Sequence, residues 1–165
     1  MRLACAAILL ALCAAPWVDL AADGVPFSVP PPRAMDLCPV CGMIVSKYPN
    51  WIATVVWKDG HAHHFDGAKD MFKFLQALPK YAPGHKRDDI RFIAVTDFYN
   101  LEKIEAGKAS YVIGSDVMGP MGPELVPLAT RADAEDFFKD HKGKLILGFG
   151  AVTPEIVAKV DSGKF

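Results

Sequence analysis

The stretch WIATVVWKDGHAHHFDGAKDMFKF, residues 51–74, changes its hydrophobic period partway along, and that change sets the fold class. Its first half is β-branched and aromatic around Asp59-Gly60, a pair suited to a two-residue type I′ turn, so it predicts a hairpin. Lys58 then faces His61, and Val56 faces His63. Alternation puts His61 and His63 on one face of the strand and His64 on the other. The second half switches to helical spacing. Met71, Phe72, Leu75 and Leu78 fall on one side of a helix over 68–78, with Asp66 placed to cap it. Pro79, Pro83 and Gly84 end the helix.

Downstream, DIRFIAVTDF (89–98) and ASYVIGS (109–115) read as strands, and NLEKIEAGK (100–108) as a connection holding at most a helical turn. VMGPMGPE (117–124) has too much Pro and Gly for regular structure. ELVPLA (124–129) is a short strand, placed at an edge or bulge by Pro127. A helix follows with Thr130 as its cap. KLILGF (144–149) is a strand, and the last helix has Thr153 at N-cap and Pro154 at N1. HHFDGAKDMFKF and VPLATRADAEDFFKD rhyme: a short strand, then an acidic-started helix with a Met-Phe or Phe-Phe pair. The fold class is α+β with antiparallel pairing, in two small related ββα-type units spanning about 38–84 and 88–165.

The N-terminus reads as a signal peptide over residues 1–22. Arg2 precedes an apolar run to Ala15, and Pro16 and Asp19 break that run short of a membrane span. The Pro-rich segment 23–37 is an extended lead into the folded region 38–165. Export and a periplasmic location are therefore expected, and Cys5 and Cys13 leave with the signal. Of the four cysteines only Cys38 and Cys41 remain. A formal net charge of −1 gives no electrostatic footprint for nucleic acid. No phosphate-binding loop, dinucleotide fingerprint or nucleophile elbow is present. Asp66, Asp70 and Asp133 read as helix-start charges.

The chemistry concentrates in three places. CPVCGM (38–43) is half of a zinc knuckle, a redox dithiol or the thiolate part of a soft-metal site. Structural zinc needs four protein ligands, and the mature chain has no second cysteine pair. A redox dithiol needs a helix starting at the cysteines, whereas Ile44 and Val45 follow. A soft-metal site uses more of the neighbourhood: thiolate and thioether sulfur select Cu(I), and Met43 adjoins the pair. Met118 and Met121 carry two more thioethers in a loop with no regular face to bury them. His61 and His63 form an imidazole pair, set against the plainer role of a polar turn.

CPVCGM (38–43), FDGAKDMF (65–72), YVIGSDVMGPMGPEL (111–125), DAEDFFKDHKGKLI (133–146) and VTPE (152–155) together resemble the NosL family, copper-binding accessory proteins of nitrous oxide reductase. The resemblance implies a periplasmic Cu(I) chaperone of two small α+β units, not itself an enzyme. Its metal positions would come from Cys38, Cys41, Met43 and a methionine of the Met118–Met121 loop, with His61 and His63 as further candidates. Its partners would be a copper donor and apo nitrous oxide reductase or another periplasmic copper enzyme. Family members are commonly lipoproteins, but Leu12 precedes Cys13 where a lipobox wants a small residue, so a lipid anchor is not supported. Peripheral membrane association stays open. The alternatives are an exported thiol-disulfide oxidoreductase and a structural zinc-knuckle module.

Overall fold

The computed structural model describes residues 27–165. The expected signal peptide, with Cys5 and Cys13, lies outside the described residues. In chain order the elements are β1 (Ala53–Trp57), β2 (Ala62–Phe65), α1 (Ala68–Gln76), α2 (Leu78–Tyr81), β3 (Ile90–Thr96) and β4 (Lys103–Glu105), followed by β5 (Ser110–Ile113), β6 (Met118–Gly119), β7 (Gly122–Pro123), β8 (Val126–Leu128), α3 (Arg131–Asp140), β9 (Leu145–Gly148) and α4 (Pro154–Ser162). Every strand pair is antiparallel, as the α+β class requires. Among the described residues no helix is long and apolar enough to cross a membrane.

The internal rhyme of the sequence has a topological basis. One sheet has the order β2-β1-β3-β4 and the other β8-β5-β9. In each, the first strand is central, the second and third flank it, and a helix joins the second to the third. The repeated unit is thus ββαβ, with α2, β4, the β6–β7 hairpin and α4 as additions. The strand and connection expected to open the second unit form β3 and β4 and hydrogen-bond into the first sheet. The change of sheet therefore comes after β4 rather than near residues 84–88.

The apolar residues account for these layers. All five residues of β1 are buried, because the strand is central in its sheet and packs against α1. One core joins Val55, Trp57, Phe65, Met71 and Phe74 to Tyr111, Leu125, Val157 and Val160, so the two sheets and α4 share an interior. A smaller core lies beneath α3, around Val112, Val126, Leu128 and Phe137. Met71 is core filler, as its place on the helix face predicts.

Several local readings are corrected. The β1–β2 connection is a three-residue loop, Lys58-Asp59-Gly60, not a two-residue turn. Gly60 N–H bonds to the Trp57 carbonyl, Trp57 N–H bonds to the His61 carbonyl, and Gly60 takes φ +87°. A type I turn closed by a left-handed glycine matches the strand twist as well as a type I′ turn does. The register shifts by one, so Val55 rather than Val56 faces His63. Residues 103–105 form a strand because their backbone completes the exposed edge of β3. The Met-Gly-Pro segment closes into the small β6–β7 hairpin, with Gly122 at φ +83°. Leu78 and Pro79 belong to the short α2 instead of extending α1.

Candidate metal centre

Cys38 and Cys41 sit in a tight knuckle. Cys38 N–H donates to the Met43 carbonyl and Gly42 N–H to the Cys38 carbonyl, each at 2.8 Å, and a Leu37–Ile44 bridge closes its base. Gly42 turns the chain back at φ +78°, a conformation that costs other residues roughly 1–2 kcal/mol. The knuckle packs against the junction of β2 and α1. There the Cys38 thiol donates to Asp70 Oδ2 at 3.4 Å and the Cys41 thiol to Asp66 Oδ1 at 3.2 Å. The two sulfurs and one oxygen from each carboxylate all lie within 4.8 Å of one another. Both cysteines are free thiols. Cys38, Asp66 and Asp70 are buried, and Cys41 is partly exposed, so the cluster opens on the Cys41 side.

The carboxylates are the residues that sequence reasoning misplaced. Asp66 does not cap α1. The N-cap is Gly67, which offers no side chain, and Asp66 turns to Cys41 instead. Asp70 and Asp133 both stand at the third position of their helices, at equivalent places in the two units. Asp133 performs the expected task, forming reciprocal bonds with the Thr130 cap. Asp70 has no such partner, because glycine replaces threonine at the cap, and it is left for Cys38. That glycine in a repeat otherwise capped by threonine is the signal that could have identified Asp70.

The electrostatics keep the pair protonated. Burial pushes the Cys38 thiol well above its ordinary range and Cys41 up to about 12, with the adjacent carboxylates adding to the effect. A thiol in this state is a poor nucleophile, which runs against an oxidoreductase. Alkylation of reduced Cys41 by iodoacetamide at pH 8 should be at least about 100-fold slower than that of a free cysteine. A rate near the free-cysteine value would show that the carboxylates do not hold it. Asp66 Oδ2 and Asp70 Oδ1 are buried without a hydrogen bond, although the Lys73 ammonium stands 3.3 Å from the latter. Two thiols and one oxygen from each of two carboxylates within 4.8 Å of one another are a donor set for a cation.

The remaining sequence-predicted candidates lie outside this four-residue group. Met43 contributes its carbonyl to the knuckle. Met118 and Met121 are among the most exposed large apolar side chains, 57% and 45% accessible, so their hairpin presents sulfur instead of burying it. That hairpin is pinned to the helix carrying Asp70. The Lys69 ammonium donates to the Met121 carbonyl at 3.1 Å and the Pro123 carbonyl at 2.8 Å. Glu124 accepts the Lys69 and Leu125 backbone N–H groups at 2.6 and 2.8 Å, supplying from a distant loop the cap that Gly67 cannot. A Cβ on Gly67 would run into the Glu124 carboxylate. Gly67→Ala should therefore destabilise the protein by about 2 kcal/mol in urea unfolding, and an unchanged midpoint would show that the contact is soft.

His61 and His63 share a face as predicted, with rings 5.1 Å apart. His63 Nδ1 accepts from the Trp57 indole at 2.8 Å, and burial pushes its pKa down to about 4, so it is neutral near pH 7. His64 lies on the other face against the Thr54 hydroxyl, at 3.0 Å. Among the described residues no histidine joins the thiol–carboxylate group within its 4.8 Å spacing.

Paired ββαβ units with a largely buried dithiol–dicarboxylate cluster between knuckle and helix define a small α+β protein with a candidate metal centre. The chain belongs to the NosL family, whose model matches residues 31–157. Its fold is similar to the crystal structure of the copper chaperone NosL from Shewanella denitrificans. The TM-score is 0.64 at 24% identity, over 79% of this chain and 98% of that one. It is also similar to the solution structure of apo-NosL from Achromobacter cycloclastes, with TM-score 0.46 and 25% identity, over 64% of this chain and 87% of that one. No curated protein matches the chain.

Proposed function

We propose that this protein is an exported copper chaperone, not an enzyme, that carries Cu(I) on Cys38 and Cys41 and delivers it in the periplasm to nitrous oxide reductase or another copper enzyme. The observation that carries this reading is the pair of free thiols held 3.4 and 3.2 Å from Asp70 and Asp66, in a knuckle open on the Cys41 side. Binding as thiolates releases two protons, and the carboxylates that already accept the S–H bonds are placed to take them up. Met43, adjoining the knuckle, and the exposed Met118 and Met121 supply soft thioethers for a third position or for handing the ion on. A metal held by one buried and one partly exposed thiolate, with weaker thioethers, leaves by ligand exchange, which delivery requires. Family membership and the copper chaperone named among the similar structures support the same reading.

A second reading has a specific observation behind it. Asp66 and Asp70 raise the donor count at the knuckle to four, which meets the ligand number for structural zinc that the sequence lacked. Anaerobic competition titration of the reduced protein separates the two. The chaperone binds one equivalent of Cu(I) far more tightly than Zn(II), then restores copper to an apo-reductase. Preferred Zn(II), with folding lost on chelation, would identify a structural zinc module.

A further inference from the structure

A second group of metal-ligating side chains lies at the other end of β2. Donor atoms of Asp59, His61 and His85 lie within 4.8 Å of one another. The four residues of β2 separate His61 from Asp66, five steps or about 16 Å of extended chain, so this group is distinct from the thiol knuckle. Two segments build it. The β1–β2 loop presents Asp59 and His61, with the His61 N–H donating to Asp59 Oδ1 at 2.9 Å. The loop after α2, turned by Gly84 at φ +91°, folds back to bring His85 over the Trp57 indole, with ring centroids 4.4 Å apart. His85 Nδ1 is buried and has no hydrogen-bond partner in the protein. A buried imidazole nitrogen left unpaired is costly unless something else occupies it.

We infer that Asp59, His61 and His85 form a second metal site, selective for a borderline divalent cation, Cu(II) or Zn(II), and not for Cu(I). Two imidazoles and one carboxylate without sulfur are the donor set that such ions prefer, with Cu(II) bound most tightly. Three protein ligands leave positions for water. Asp59 and His61 are exposed, so the ion enters from solvent without opening the fold. The molecule then sorts copper by oxidation state, the reduced ion at sulfur and the oxidised ion at imidazole. His63 shares the face but is not assigned, because the Trp57 indole occupies its Nδ1.

The test uses the signal-cleaved protein carrying Cys38→Ser and Cys41→Ser, so that thiols neither bind nor reduce the probe. Cu(II) and Zn(II) chloride are titrated separately, following calorimetry, Trp fluorescence and Cu(II) paramagnetic resonance. The site predicts one equivalent of each ion, quenching of Trp57 emission by Cu(II), and a resonance spectrum with coupling to two nitrogens. His61→Gln and His85→Gln should each weaken binding at least tenfold. His61 is exposed, so its variant tests the site even if the His85 variant folds poorly. Wild-type protein preloaded with one equivalent of Cu(I) should still take up one equivalent of Zn(II), a control for folding of the serine variant. Absence of saturable binding below millimolar Zn(II) in both forms, or affinity unchanged by His61→Gln, overturns the proposal.

Discussion

Asp66→Asn with Asp70→Asn should leave Cu(I) affinity within about tenfold of wild type while weakening Zn(II) at the cysteine knuckle by at least about 1000-fold, roughly 4 kcal/mol. The two carboxylates accept the thiol hydrogen bonds at 3.2 and 3.4 Å, and both remain buried next to the sulfurs. Zn(II) needs four donors and takes carboxylate oxygen readily, so loss of two anionic ligands leaves an incomplete, less charged site. Cu(I) is satisfied by two or three soft donors and gains little from oxygen. Removing negative charge also eases formation of the thiolates, which offsets the lost proton acceptors. Cys41→Ser has the opposite profile, lowering Cu(I) affinity by at least about 1000-fold. Anaerobic chelator competition on wild type, the double asparagine variant and Cys41→Ser reads all of this. If the double asparagine variant loses Cu(I) as completely as Cys41→Ser does, the carboxylates are ligands and the soft-site reading fails.

Glu124→Ala should cost about 3–5 kcal/mol in urea unfolding, a large share of an ordinary domain's stability. The side chain is fully buried and one of its oxygens serves two backbone N–H groups, at Lys69 and Leu125. Truncation leaves both backbone donors unsatisfied, while the Lys69 ammonium keeps its own partners, the Met121 and Pro123 carbonyls and Asp161. It also loosens the methionine hairpin on α1, so Cu(I) transfer should slow in the surviving folded fraction. Glu124→Gln keeps the accepting oxygen and should cost no more than about 1 kcal/mol near neutral pH. Burial pushes the Glu124 carboxyl up to about 8, against the pull of Lys69 and the backbone donors. The folded state therefore binds this proton more tightly than the unfolded state does. The stability it contributes is full below about 4.5 and is lost as pH rises through about 8. Wild type should thus lose ground to Glu124→Gln between pH 5 and pH 8.5 by a few kcal/mol. Parallel stability profiles for the two proteins would mean that Glu124 is ionised throughout.

Much of the local structure follows from residue pattern. Thr130 and Thr153 cap their helices as read, because Ser and Thr at that position bond a nearby backbone N–H whatever surrounds them. Pro127 marks an edge strand, since β8 has β5 on one side only. The rhyme between 63–74 and 126–140 is legible because each copy must bury the same strand and helix faces. The β1–β2 register is less so: Asp-Gly fits both a two-residue and a three-residue loop, and only packing of β1 against its neighbours selects one.

What the sequence by itself determined is the soft-donor inventory and its local geometry: a Cys-Pro-Val-Cys-Gly-Met knuckle, a methionine-bearing Gly/Pro loop, and a histidine-bearing strand with His61 and His63 on one face. These depend on turn chemistry and side-chain alternation, which act over a few residues. Only the tertiary structure decided which groups meet the thiols. Asp66 and Asp70 look like ordinary helix-start charges until the knuckle folds over them, and Glu124 becomes the cap of α1 from 55 residues away. His85 joins His61 only because the loop after α2 returns to the β1–β2 turn. A carboxylate or imidazole has the same intrinsic preferences in either role, and its partner is set by long-range packing that no local pattern encodes.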